Sequence, residues 1–423
     1  MLLNNLASYS GPYKVACRDI EYIKQKPVGN PTSPDEPELK PTSLLVKIFY
    51  PAEICPETRS LARWCSYPST NYFRGFFDYK NLSRYLSTPL SFIFGRQPRM
   101  GAYHGDGSEL LKGKKPFPVA IFSHGLAGSR NGYSGICGEL ASHGFVVCAI
   151  EHRDGTAVYS HAATAPHVIE YQSPPGNTGD AEHREFYQKR IDFRVKEVVR
   201  AYELLKDLNT GKLGPCDLAP PLKDCPDFSE ISNEKGWVEN LKNFAGRLDL
   251  RQAFALGHSF GGATILDTLA RKNNVFKAAV VFDPWMYPIE GREVRRPLLA
   301  VNTQGFTDWK INFDCVKKLL QKSTFMIHNE DKPPKNQPDN ALVTLPDTTH
   351  VHQSDIPSII SWASSRLLKS TMDPALALRR TASVAISYLN RHIRSGDIPP
   401  LAAEVDIFNP ESPEHKQFQY HDF

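Results

Sequence analysis

A Gly-x-Ser-x-Gly pentapeptide, with Ser259 between Gly257 and Gly261, is the part of the sequence best suited to chemistry. A serine hydroxyl becomes a nucleophile when a base takes its proton and its oxygen stands clear of neighbouring side chains. The apolar run 253–256 predicts a strand before the pentapeptide, and residues 262–266 predict a helix after it. A strand-to-helix turn of this kind exposes a serine and needs glycines where a Cβ would clash. We therefore interpret Ser259 as a candidate nucleophile, with a chance Gly-rich turn as the alternative.

A nucleophilic serine also needs a base, and a carboxylate that orients this base. In folds with such a turn, the acid and then the base follow the serine, each directly after a strand. Asp283 closes the apolar run 279–282 and is the candidate acid, with Asp308 and Asp314 as competitors.

Two histidines, His350 and His352, follow the late apolar run 341–345 and precede the last predicted helices. Either could be the base, because their spacing alone does not distinguish them. We expect one of them to take the serine proton and the other to be an ordinary loop histidine.

Two backbone N–H groups are candidates for stabilising the negative oxygen that develops during acyl transfer. One belongs to Phe260, directly after the candidate nucleophile, and the other to Leu126, in the loop after the predicted strand 118–123. The sequence contains no cluster with the spacing of metal ligands. We therefore expect neither a metal nor an organic cofactor.

Apolar runs alternate with helical patterns along most of the chain. This order predicts an α/β-hydrolase fold, with a mostly parallel, doubly wound sheet, helices on both faces and loop insertions. The predicted organisation is a loop-rich segment over 1–40, one catalytic domain over 41–395 and a tail over 396–423, with an aromatic insertion at 72–95 and a Pro-rich insertion at 211–228.

The composition narrows the class of partner. The chain has 423 residues with 50 basic and 46 acidic side chains, a balance that does not favour nucleic acid. Its N-terminus lacks the charged and apolar regions of a secretory signal, and no run reaches the roughly 18 apolar residues of a membrane span. We expect an intracellular, cytoplasmic protein without a transmembrane helix and with reduced cysteines. The sequence leaves the oligomeric state open.

Several segments together resemble the platelet-activating-factor acetylhydrolase family, plasma and type II intracellular. They are 122–126, 140–147, 151–154, 257–264 and 351–353, with 11–13 and 49–51 similar to the family's N-terminal half. The resemblance implies a calcium-independent, group VII-type phospholipase A2 that cleaves the sn-2 ester of acetyl, short-chain or oxidised phospholipids. It also implies Ser259 as nucleophile, Asp283 as acid and His352 rather than His350 as base, with Leu126 and Phe260 as oxyanion donors.

A phospholipase must reach an aggregated substrate, and two apolar stretches are candidates for that contact. They contain Phe73, Phe76 and Phe77 in the aromatic insertion and Trp362 in a later helix. Packing of these residues in the core is the alternative.

Two other functions share parts of this pattern. A generic carboxylesterase or dienelactone-type hydrolase acting on small soluble esters would have the same three residues without the aromatic insertion. A non-catalytic binding protein on the same fold would typically have lost the serine or the histidine, and this chain keeps both.

Overall fold

The structure is a computed structural model. It describes residues 3–23, 43–54, 60–66, 68–94, 98–105, 108–113, 115–162, 167–219, 241–323, 340–360, 369–393 and 407–421. The statements below concern these residues.

One large twisted sheet forms the centre of the molecule. Its strands are β1 (Val15–Tyr22), β2 (Leu44–Glu53), β3 (Leu61–Arg63), β4 (Arg99–His104), β5 (Glu109–Leu110), β6 (Phe117–Ser123), β7 (Val146–Glu151), β10 (Leu248–His258), β11 (Ala278–Phe282), β12 (Leu298–Thr303), β13 (Ala341–Leu345) and β14 (Gln419–Tyr420). A separate hairpin pairs β8 (Tyr159–Ala162) with β9 (His167–Glu170).

The middle of the sheet is parallel, and an antiparallel strand flanks this block on each side. The strand order is β14-β13-β12-β11-β10-β6-β7-β2-β1-β4-β3, with β5 beside β2. Strands β13 through β7 in this order run parallel to one another, whereas β2 and β14 join the block antiparallel. The carboxyl ends of these parallel strands therefore meet at one edge, where α/β proteins place their sites.

Helices cover both faces of the sheet. They are α1 (Ser69–Tyr79), α2 (Arg84–Phe94), α3 (Ser134–Ser142), α4 (Ala181–Thr210), α5 (Phe260–Ala270), α6 (Gln304–Asp308), α7 (Lys310–Lys322), α8 (Ile356–Ile359) and α9 (Pro374–Arg391). Gly211, in the left-handed region at φ 65°, ends the long helix α4. All seven residues of β6 are buried, which explains its continuous apolar sequence. The predicted α/β-hydrolase fold is confirmed, and most of the aromatic insertion forms the helices α1 and α2.

Two segments that lie outside the predicted catalytic domain also contribute strands to the sheet. The segment 1–40 is not all loop, because β1 pairs with β2 along all eight of its residues. Its polar residues Arg18 and Glu21 are buried, so the strand lacks an apolar sequence signature. The segment 396–423 is not only a tail, because β14 pairs with β13. Half of the 211–228 insertion, residues 220–228, lies outside the described residues.

Candidate active site

Ser259 occupies the turn between β10 and α5, with its backbone at φ 58°. A Cβ on Gly257 would lie 2.3 Å from the Gly261 carbonyl oxygen, and a Cβ on Gly261 would lie 2.0 Å from that of Ser123. Both positions therefore exclude any side chain. The glycines allow the strained turn to pack against the sheet, and the Ser259 side chain is left half-buried at its edge.

Asp283 follows β11 directly, and its side chain is fully buried. The Thr303 N–H and hydroxyl donate hydrogen bonds of 2.7 Å to its two carboxylate oxygens. These contacts fix the carboxylate between the ends of neighbouring strands.

His350 connects the serine to the acid. Its Nε2 lies 3.0 Å from the Ser259 hydroxyl oxygen, and its Nδ1 lies 3.0 Å from a carboxylate oxygen of Asp283. The side chain is 33% exposed, whereas the Asp283 side chain is inaccessible. This is the geometry in which an oriented imidazole can take a serine proton and return it to a leaving group.

The expectation that His352 is the base disagrees with this geometry. His352 is buried, and its Nδ1 accepts a 3.0 Å hydrogen bond from the Thr349 N–H within one short 3-10 turn. Such a turn has about three residues per revolution, so side chains two positions apart point in different directions. Burial lowers the pKa of His352, as expected for a structural histidine. The structure therefore brings His350, not His352, to the serine.

Aromatic rings enclose the His350 imidazole on two sides. The Phe306 ring stacks on it at 4.3 Å and 10°, and the His258 ring at 4.3 Å and 29°. Neither residue was singled out from the sequence, although His258 is the second residue of the pentapeptide. The two rings limit rotation of the imidazole, and the face of the Phe306 ring attracts a positive charge formed on it.

A hydrogen-bond chain links the turn that carries His350 to the loop after β6. The Gly125 N–H donates to the Tyr133 hydroxyl at 3.2 Å, and that hydroxyl lies 2.9 Å from His258 Nδ1. His258 Nε2 lies 3.2 Å from the His350 carbonyl oxygen, so it must carry the proton. Burial and the neighbouring His350 hold the pKa of His258 well below its usual value, which fits this neutral form.

The same turn is anchored by Asp355, a buried carboxylate at the start of α8. It accepts hydrogen bonds from the Trp64 indole at 2.8 Å, the Ser134 N–H at 2.7 Å and the Gly135 N–H at 2.8 Å. One side chain thus ties the base turn to the N-terminus of α3 and to the segment directly after β3.

The candidate oxyanion donors lie on either side of Ser259. Phe260 begins α5, and its ring is fully buried. A Cβ on Gly125 would lie 3.0 Å from the Ser259 Cβ, which places the loop containing Leu126 directly against the nucleophile. The arrangement is consistent with donation from both sides, and the role of the two N–H groups stays a prediction.

The competing aspartates lie elsewhere. Asp308 is exposed and accepts a hydrogen bond from the Gln304 amide. Asp314 is exposed and pairs with Lys317 on the surface of α7. Neither is bonded to a described histidine.

One group of potential metal ligands lies within the described ranges. His258, Asp283 and His350 offer atoms within 4.8 Å of one another. Their nitrogen atoms already bind Tyr133, Ser259, the carboxylate and a backbone carbonyl. The group therefore fits a proton relay better than a cation site.

The aromatic insertion packs mainly into the body of the molecule. Phe73 is buried and contacts Trp64, which is incompatible with its predicted role at a lipid surface. Phe76 and Phe77 are half-buried against the core. Trp362 lies outside the described residues. Within this insertion, the most exposed apolar side chains are on α2, where Tyr85 is 94% exposed. In the part of the chain that is described, no helix combines the length and apolarity needed to cross a bilayer.

A second serine–histidine–carboxylate chain lies in the interior, unanticipated from the sequence. The Ser123 hydroxyl oxygen is 2.7 Å from His152 Nε2, and His152 Nδ1 is 2.6 Å from a Glu197 carboxylate oxygen. All three residues have no exposed surface. No substrate can reach this chain, so its role is structural.

The sheet order, the strained serine turn and the position of Ser259, Asp283 and His350 after parallel strands define an α/β-hydrolase. A solved structure of a ferulic acid esterase from Streptomyces cinnamoneus has a similar fold, with a TM-score of 0.62, 16% identity and 99% of each chain covered.

The family follows from sequence comparison. The profile described as platelet-activating factor acetylhydrolase, isoform II, matches residues 3–397, and the chain belongs to this family. The platelet-activating factor acetylhydrolase of Canis lupus familiaris is 27% identical over 91% of this chain and 76% of its own. That of Bos taurus is 26% identical over the same shares. The protein is a carboxylic ester hydrolase, and the predicted family is confirmed.

Proposed function

We propose that this protein is a serine-dependent, calcium-independent phospholipase A2 that cleaves the sn-2 ester of phospholipids with acetyl, short or oxidised acyl groups. The serine mechanism is supported by the relay of Ser259, His350 and Asp283, in which both hydrogen bonds are 3.0 Å long. The substrate class is supported by the family and by relatives named platelet-activating factor acetylhydrolase.

The reaction has two steps. His350 Nε2 takes the Ser259 proton while the serine oxygen attacks the sn-2 carbonyl carbon. The tetrahedral intermediate collapses to an acyl-enzyme, and His350 returns the proton to the departing lysophospholipid oxygen. Water then loses a proton to His350 and attacks the acyl carbon. His350 returns this proton to the Ser259 oxygen as the acyl–serine bond breaks, which restores the serine hydroxyl and releases the carboxylic acid, which ionises.

The other residues stabilise the charges that form during the reaction, positive on His350 and negative on the substrate oxygen. Asp283 stabilises the imidazolium that forms on His350, and Phe306 presents its ring face to the same charge. The Leu126 and Phe260 N–H groups donate to the oxyanion. Losing one such donor typically slows turnover by about 10²–10³-fold.

The experiment compares hydrolysis of sn-2 acetyl and sn-2 palmitoyl phosphatidylcholine by wild type and Ser259→Ala. We expect the acetyl substrate to be preferred and Ser259→Ala to be inactive. Ser123→Ala is the matched control, because its hydroxyl is bonded to a histidine yet has no access to substrate. Hydrolysis of p-nitrophenyl acetate without phospholipid hydrolysis would favour a generic carboxylesterase. Unchanged activity in Ser259→Ala would reject the mechanism.

We propose further that α2 contacts the lipid aggregate. Tyr85, Leu86 and Phe92 are 94%, 55% and 56% exposed on one short helix, which is unusual for large apolar side chains. Changing all three to Ser should reduce flotation with phosphatidylcholine liposomes. Val199→Ser is the control, because Val199 is 50% exposed on α4. Equal flotation of all variants would reject this contact.

A further inference from the structure

Behind the loop that contains Leu126 lies a buried ion pair that the mechanism does not use. Arg194, in the middle of α4, has no exposed surface, and its Nε donates a 2.8 Å hydrogen bond to Asp154. Its Nη2 donates to the Thr156 hydroxyl at 2.5 Å, and this hydroxyl in turn donates to Asp154. The charge of the guanidinium is thereby balanced on one side only.

The other side of the guanidinium faces the candidate oxyanion hole. Nη1 donates a 2.6 Å hydrogen bond to the His124 carbonyl oxygen, two residues before Leu126. The guanidinium carbon lies 4.6 Å from the centre of the Phe260 ring. One side chain therefore contacts both segments that supply an oxyanion donor, although these segments belong to different strand-to-helix connections.

The histidine in this loop does not compete for the same contacts. His124 Nδ1 lies 2.7 Å from the Gly125 carbonyl oxygen and so carries the proton, while His124 Nε2 accepts a 3.1 Å bond from the His152 N–H. Burial lowers the pKa of His124 to about 3, consistent with a neutral ring. The His124 carbonyl is thus left for Arg194, the charged donor in contact with it.

We propose that Arg194 is a positioning residue of the oxyanion hole, which sets the distance between the Leu126 and Phe260 N–H groups through the His124 carbonyl and the Phe260 ring. The inference rests on the proposed function, because it assigns Arg194 a task only if Ser259 forms an oxyanion. It adds to that function a residue that never touches substrate.

The geometry explains why an arginine is present here. A planar guanidinium can bind Asp154, Thr156 and the His124 carbonyl along its edge and still lie flat against the Phe260 ring. A lysine ammonium could keep the ion pair but could not make the edge and face contacts together. Displacement of catalytic groups by about 1 Å can reduce turnover by about 10²-fold.

The test compares Arg194→Lys with Arg153→Lys. Arg153 is also buried and paired, but its guanidinium binds Glu21 at 2.9 Å instead of the oxyanion loop. With the phospholipid that wild type hydrolyses, we expect Arg194→Lys to lower kcat about 10²-fold with KM within about threefold. We expect Arg153→Lys to lose thermal stability while keeping kcat.

A transition-state readout separates positioning from general destabilisation. A trifluoromethyl ketone forms a hemiketal with Ser259 whose oxygen occupies the oxyanion hole. Its affinity should fall in Arg194→Lys by about the same factor as kcat. If kcat and ketone affinity stay within about threefold of wild type, or fall equally in Arg153→Lys, the inference is overturned.

Two further measurements keep the result interpretable. If Arg194→Lys does not fold, Phe260→Leu removes the other contact while keeping the backbone N–H and the Arg194–Asp154 pair, and it should weaken ketone binding about tenfold. Unchanged ketone binding in Phe260→Leu would then overturn the inference. Ser259→Ala reports on the function separately: if it is as active as wild type, the proposed function fails, regardless of the Arg194 result.

Discussion

The two serine–histidine–carboxylate chains differ in access, not in connectivity. In one, His350 lies 3.0 Å from both Ser259 and Asp283. In the other, His152 lies 2.7 Å from Ser123 and 2.6 Å from Glu197. The hydrogen bonds of the interior serine–histidine–carboxylate chain are thus the shorter ones.

The Ser259 relay is accessible to solvent, whereas the Ser123 relay is completely buried. Ser259 is half-buried in a strained turn, and the His350 side chain is 33% exposed, whereas Ser123 is the inaccessible last residue of β6. Burial raises the pKa of Glu197 and lowers that of His152, so neither group readily carries charge. The comparison teaches that such a chain becomes a site only where substrate, oxyanion donors and a stable imidazolium can meet.

The largest effect should come from the base. His350→Gln should lower kcat by about 10⁶-fold, because the serine loses its proton acceptor. His352→Gln, the matched control two residues away, should keep kcat within about threefold. Steady-state hydrolysis of the short-chain phospholipid measures both, and equal losses would show that the 3.0 Å contact of His350 is not the functional one.

Replacing Asp283 should affect catalysis, whereas replacing Glu197 should affect stability. Asp283→Asn should lower kcat by about 10⁴-fold, since the histidine would be held in the wrong tautomer. Glu197→Gln should instead lower the free energy of unfolding by about 1–3 kcal/mol through a disrupted buried hydrogen bond, with kcat nearly unchanged. Denaturant unfolding and kinetics on the same samples test this, and a comparable kcat loss in Glu197→Gln would contradict a purely structural interior chain.

Acid should destabilise the interior region. The pKa of His124 is lowered to about 3, so the unfolded chain binds a proton there below about pH 6.5 that the folded chain refuses. The neutral His124 therefore contributes fully to the free energy of unfolding above about pH 6.5, and this contribution is lost as the pH falls towards 3. The free energy of unfolding of wild type should thus fall faster than that of His124→Gln, by about 1.4 kcal/mol per pH unit. Urea unfolding between about pH 6.5 and pH 4.5 tests this, and parallel curves would contradict it.

The smallest effect should come from the ring over the base. Phe306→Leu removes a face stacked at 4.3 Å on His350 and should lower kcat about three- to tenfold, an amount typical of an aromatic contact of about 1 kcal/mol. Trp309→Leu is the control, because its ring touches Phe306 and is 42% exposed. A larger loss in Trp309→Leu would show that the stacking is incidental.

Local patterns made the nucleophile and the fold predictable. The strand, glycines and helix around Ser259 lie within about fifteen consecutive residues, and the parallel strands are continuous apolar runs because both of their faces are covered. Asp283 could be predicted for the same reason, because it directly follows such an apolar run.

The remaining features depend on contacts between distant segments. His350 and His352 differ only in direction around one short turn, so the sequence could not rank them. Strand β1 was missed because buried Arg18 and Glu21 interrupt its apolar pattern. The interior chain joins residues 123, 152 and 197, each of which resembles an ordinary residue in isolation.

The Asp355 anchor has a consequence for how the protein folds. Its partners Trp64 and Ser134 precede it by 291 and 221 residues, so the base turn cannot be fixed until segments far apart in the chain have met. During synthesis, Ser259 leaves the ribosome well before His350. The nascent esterase therefore stays inert until nearly all of the described sheet has formed, and recovery of activity after refolding should coincide with the final cooperative step.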